Sequence, residues 1–257
     1  MLGKLMKYEF ISMGRIFLPI YGALIAVTII SRLLMLLPNT YTPAVISTIT
    51  ASFLIAATSV ITLILVLQRF YKNLLTNEGY LMMTLPVKPD LLIFSKLLVA
   101  TIFTIATFLV STLAILILAD YSFIAGFEFL TFPADFHAIL VTIEVFILLI
   151  LIIFASILLL YTCMALSLLV NKRRILFSFG MYVAITTVLQ IIASTVVASF
   201  VISRIGGESA ALRTLAGMST FATSQAILLT LIALALGLCA TFYLTTRYML
   251  KWKLNLQ

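Results

Sequence analysis

AILVTIEVFILLILIIFASILLLYTCMALSLLV, residues 138–170, holds a single charged side chain, Glu144, in 33 positions. A helix needs about 20 mainly apolar residues to cross a hydrocarbon layer of ~30 Å. At ~1.5 Å per residue this stretch would run about 50 Å, so it must tilt, kink or protrude. A barrel strand would alternate apolar and polar residues over about ten positions, and LLILIIF at 148–154 does not alternate. The stretch therefore reads as a membrane-spanning helix.

Working outward, five more segments meet the same criterion: 16–37, 44–67, 91–119, 175–202 and 225–248. The whole chain of 257 residues is 64% hydrophobic and 9% charged, with a mean hydropathy of +1.28. Soluble domains carry roughly 25% charged residues, so a soluble globule is excluded. The 19 Phe and 10 Tyr exclude disorder as well. The sequence predicts an all-α integral membrane protein of six spans, a single transmembrane domain over 1–257. The first span is read as retained: its apolar run is long for a signal peptide, and no small-residue cleavage site follows Pro38.

The net charge of +8 is explained by where the cations fall. With the N-terminus in the cytosol, Lys4, Lys7, Arg15, Arg69, Lys72, Lys88, Lys96, Lys172, Arg173, Arg174, Arg247, Lys251 and Lys253 all lie on the cytosolic side. Only Arg32, Arg204 and Arg213 lie opposite, while Asp120, Glu128 and Asp135 fill the outer connection after span three. This is the positive-inside pattern. It places both termini in the cytosol and accounts for the basic residues through anionic lipid, with no call for nucleic acid.

Two cytosolic features stand out. Residues 1–15 read as an amphipathic interface helix: Leu2, Leu5, Met6, Phe10, Met13 and Phe17 share an arc of roughly 140°, opposite Lys4, Lys7 and Arg15. Glu9 falls on the apolar arc, which leaves two readings open, a local or rim pairing or a contact with the neighbouring cytosolic loop. That loop, 70–90, is far longer than two antiparallel helices need. Asn77 can cap a helix, Gly79 permits an unusual backbone angle, and Pro86 ends any helix before it. Between them Tyr80, Leu81, Met82 and Met83 make a short apolar helix. Such a surface is either a protein contact or a re-entrant turn packed on the chain's own spans.

The segments Phe70-Tyr71-Lys72-Asn73-Leu74, Asn77-Glu78-Gly79-Tyr80-Leu81 and Thr84-Leu85-Pro86-Val87 resemble the loop of permease subunits of type-2 ABC transporters from Gram-positive bacteria. Lys7-Tyr8-Glu9-Phe10 and Lys251-Trp252-Lys253-Leu254-Asn255-Leu256 resemble the ends of the same proteins. The resemblance implies an exporter-type fold in the bacterial plasma membrane, with Lys7, Tyr8 and Glu9 in the interface helix. It implies that Asn77, Glu78, Gly79, Tyr80, Leu81, Thr84, Leu85 and Pro86 form a coupling helix docking on a separate ATPase subunit. It further implies a second permease, identical or related, as partner. Gln257 departs from tails of the group that often end in an acid.

The residues themselves exclude some chemistry. The chain has no Gly-x-x-x-x-Gly-Lys-[Ser/Thr] loop, so it cannot hydrolyse ATP by that route; the resemblance implies that ATP and Mg are bound by the partner ATPase, and no cofactor is expected in this chain. One His and two Cys leave no ordinary zinc site; His137 reads as an interface residue, Cys163 and Cys239 as small packing residues. A transport path needs polar groups within apolar helices. Thr48, Ser52, Ser59 and Thr62 share about 80° of span two, and Thr187, Gln190 and Ser194 share a face of span five. Either set can instead bond back to its own helix. The resemblance points to these spans as lining a central cavity. Glu144 is the one acid well inside a span; it reads either as an outer-side ion pair with Arg32 or Arg204, or as a proton- or cation-handling group. The rival functions are a stand-alone secondary transporter, which would want inverted repeats and several buried ionisable groups, and an intramembrane lipid-modifying enzyme, which would want clustered acids or His.

Overall fold

The computed structural model describes residues 2–36, 41–75, 89–119, 136–170, 174–206 and 220–253. The described elements are helical: α1 (Leu2–Leu36), α2 (Tyr41–Leu75), α3 (Pro89–Leu118), α4 (Phe136–Leu166), α5 (Arg174–Gly206) and α6 (Thr220–Lys253), with a short 3-10 turn, Ser167–Leu169, after α4. All six are long and apolar enough to span a membrane. Residues such as Val, Ile and Thr, mediocre helix formers in water, are held helical because hydrocarbon offers backbone amides no other partner.

The outward surfaces require that solvent. Phe53 is 73% exposed, Leu176 68% and Phe146 63%, and the apolar stretch of α5 is only 6% buried. Contiguous apolar exposure of this kind in water would drive association; in a bilayer it is the solvated state. The chain is a multi-pass α-helical membrane protein.

Three boundaries differ from the sequence reading. The separate interface helix expected over 1–15 is the opening part of α1, which runs unbroken from Leu2 to Leu36. No breaker stands between the two parts. Gly14 costs little, and a Cβ there would lie 4.0 Å from the Phe103 ring; Pro19 sits inside the helix and removes only the N–H that would reach Arg15. Likewise α2 continues through Phe70 to Leu75, so the loop expected over 70–90 is helical at both edges. Charged Arg69 and Lys72 end a hydropathic run without ending a helix. The fourth span, expected to 170, stops as α-helix at Leu166 and tightens into the 3-10 turn.

The chain falls into two compact units, 1–132 and 133–257. In the first, α1 packs on both α2 and α3. Phe17 stacks on Phe103 at 4.8 Å, beside Phe10, whose ring lies 5.0 Å from the same Phe103. A chain of hydroxyls crosses this core: Tyr21 Oη lies 2.7 Å from Thr107 Oγ1, which lies 3.0 Å from Thr62 Oγ1. In the second unit α4 and α6 form the tightest pair, running the same way because α5 returns the chain between them. Thr162 and Thr246 meet there at 3.0 Å, and both are buried. Small hydroxylated residues let membrane helices approach closely while their protons return to the i−4 carbonyl.

Candidate functional site

At the end of the first unit where α1 begins, α2 ends and α3 begins, the apolar packing is interrupted by charge. Glu9 accepts from two cations distant in sequence. Arg69 Nη1 donates to its Oε2 at 2.5 Å, and Lys96 Nζ donates to its Oε1 at 2.6 Å. Arg69 Nη2 also donates to Ser12 Oγ. The side chains of Glu9, Arg69 and Lys96 are 12%, 22% and 5% exposed, so all three are largely withdrawn from water. Charge-assisted bonds of this geometry are the strong kind, and one carboxylate against two cations leaves the cluster a net charge of +1.

Local structure explains the convergence. Glu9 lies one turn before buried Met13, on the face that α1 turns to its partners. Lys96 lies one turn from Leu92 and Ile93 on one side and from Val99 and Ala100 on the other, all buried. The sequence reading placed Lys96 with the solvated cations; the structure buries it. Its position on the apolar face of α3 was the available signal. Of the two readings of Glu9, the structure has a contact with the helices that flank residues 76–88. Lys7 and Tyr8, by contrast, are exposed. The coupling residues Asn77, Glu78, Gly79, Tyr80, Leu81, Thr84, Leu85 and Pro86 lie outside the described residues.

The hydroxyls of the two polar stripes donate to carbonyls of their own helices. Thr48, Ser52, Ser59 and Thr62 donate to the carbonyls of Val45, Thr48, Ile55 and Thr58 at 2.8, 2.9, 3.1 and 2.7 Å. Thr62 is buried against Thr107, whereas Ser52 and Ser59 are exposed. On α5, Thr187 and Ser194 donate to Val183 and Ile191. Gln190 is exposed among Val188, Ile191 and Ile192.

In the second unit the Gln225 amide donates to Glu144 Oε1, a partner the sequence reading missed. Gln225 was legible only as the first residue of a span. Arg32 belongs to the first unit, where its Nη1 lies 3.9 Å from Met35 Sδ, and the Arg204 side chain lies outside the described residues. Glu144 Oε2 and Gln225 Oε1 are buried with no hydrogen-bond partner. Both atoms are acceptors, so the pair lacks a donor. Glu144→Gln supplies one: its amide can accept from Gln225 and donate back to Gln225 Oε1. We expect this variant to gain roughly 1–3 kcal/mol, the cost of an unsatisfied buried group. Glu144→Leu should lose stability by stripping Gln225 of its acceptor. Melting curves of both variants check this, and a destabilised Glu144→Gln would refute it.

Among the described residues no group of three or more His, Cys, Asp or Glu could hold a metal ion, and Cys163 and Cys239 are free and buried. The fold thus defines a six-span helical membrane protein with a buried ionic cluster in one three-helix unit. Compared with protein-family models, curated proteins and solved structures, the chain matches none.

Proposed function

We propose that this chain is the permease subunit of an ATP-binding-cassette exporter, working with separate ATPase subunits and a second permease in a bacterial plasma membrane. The reading is carried by the loop sequence Asn77-Glu78-Gly79-Tyr80-Leu81 through Thr84-Leu85-Pro86 and its resemblance to type-2 permeases. The ionic cluster supports it, because Arg69 and Lys96 sit on the two helices that lead into and out of that loop and Glu9 engages both. A loop that transmits force needs its two roots held together. Exposed Gln190 on the least buried helix gives further support: an amide facing hydrocarbon is costly, whereas one facing a partner or a central cavity is not. The exported molecule would be of the peptide, lipid or drug-like kind, and ATP with Mg would be hydrolysed on the ATPase subunit.

The decisive experiment is purification of the tagged chain from its native membrane. Stoichiometric recovery of an ATPase, whose hydrolysis the permease stimulates, is the expected result. Proton-coupled flux by the lone chain would favour a secondary transporter, and turnover of a lipid by it an intramembrane enzyme. Orientation is tested separately. Tags at either terminus should be reached only after the cytosolic face is opened, and a tag beside Glu128 should be reached from outside; the reverse pattern would overturn the topology.

A further inference from the structure

Beside the ionic cluster, α1 and α3 leave an open groove of about 330 Å³ lined by Gly3, Met6, Lys7, Phe10, Ile11 and Val99. Its walls are apolar, and among the described residues the charged side chain lining it is that of Lys7, which is exposed. The groove follows one face of α1, where positions 3, 7, 10 and 11 succeed each other at helical spacing, and the Phe10–Phe103 pair stands at its inner side. Gly3 lines the outer part, and a Cβ there would meet nothing within 4 Å, so a larger side chain has room at that position. The carboxylate nearest in sequence, Glu9, is turned to Arg69 and Lys96 and is outnumbered by them. Lys7 is thus the charge that the groove itself presents among the described residues.

We propose that this groove is a binding site for an anionic phospholipid, one acyl chain lying on Met6, Phe10, Ile11 and Val99 and the phosphate held by Lys7. Charge complementarity selects the headgroup, and the apolar walls select a lipid over a free anion. A zwitterionic lipid fits the same walls, but its headgroup cation offsets the attraction of its phosphate to Lys7. The site does not depend on the transport reading.

The test uses the purified full chain in neutral detergent, titrated with phosphatidylglycerol or with phosphatidylcholine of matched acyl chains and followed by native mass spectrometry. One lysine near the headgroup should favour phosphatidylglycerol by about fivefold. Lys7→Gln, at an exposed position, should abolish that preference and leave phosphatidylcholine binding unchanged. Gly3→Leu should fill the groove and weaken both lipids by about tenfold while keeping the preference; Ile11→Ala, which removes a wall at another exposed position, should also weaken both. Glycerol phosphate, the anion without tails, should not compete. Equal binding of the two lipids by the wild type, a preference surviving Lys7→Gln, unchanged binding in both groove variants, or competition by glycerol phosphate would each overturn the proposal.

Discussion

Glu9→Ala is expected to lower the stability of the α1–α3 unit by about 3–5 kcal/mol, the cost of removing one member of a buried ion pair. The carboxylate is the common acceptor of Arg69 and Lys96. Its loss would leave two cations facing each other, and Lys96, only 5% exposed, has no route to water without moving α3. Arg69 is better placed to escape, being more exposed and already bonded to Ser12. Glu9→Asp should recover part of the loss, limited by the shorter reach. The informative partner is the double variant Glu9→Leu with Lys96→Met. Replacing both members of a buried pair by apolar groups of similar size is often neutral or stabilising, so this protein should melt close to the wild type. Thermal unfolding of the three variants checks the expectation. If Glu9→Ala alone melts as the wild type does, the cluster contributes nothing to the unit.

The second large effect lies in the loop. If the chain is the permease proposed above, Tyr80→Ala combined with Leu81→Ala should weaken its assembly with the ATPase at least a hundredfold. Burying a Leu-sized side chain contributes ~1.5–3 kcal/mol, and two such losses exceed the roughly 2.8 kcal/mol that corresponds to a hundredfold in affinity. Reversing the charge of Glu78 should reduce coupled ATP hydrolysis more than assembly, because a charge at a helix start orients a contact more than it drives one. Pull-down of the ATPase and melting of the isolated permease are measured side by side. Unchanged pull-down with a lowered melting temperature would place the loop on the permease's own helices and end the coupling assignment. Glu9→Ala separates from this outcome, since its primary effect is on this chain alone.

The two expectations draw on different levels of information. The Tyr80–Leu81 effect rests on sequence: an apolar tetrapeptide between a capping Asn77 and a terminating Pro86, in a loop longer than its connection demands. The six spans rest on sequence too. Hydrocarbon accepts only long apolar helices with internally bonded backbones, so composition and length alone decide the architecture. Helix ends were less legible. Hydropathy marks where the bilayer stops, and a helix such as α2 runs on to Leu75 with Arg69 and Lys72 in it, since neither breaks the backbone hydrogen bonding.

Glu9 shows the limit most sharply. Its anomalous place on the apolar arc of α1 was visible in the sequence, whereas the burial of Lys96 was not. Nor was the pairing of Glu9, because the partners lie 60 and 87 residues away. A buried charge must be neutralised, but which opposite charge does so depends on how helices pack. For Glu144, packing of α4 against α6 supplies Gln225, a partner 81 residues away that the sequence alone did not suggest. Residue type and spacing by themselves determined that this protein crosses the membrane with six helices, because the bilayer constrains each helix separately. Only tertiary structure decided which buried polar groups meet, because that is settled by contacts between helices far apart in the chain.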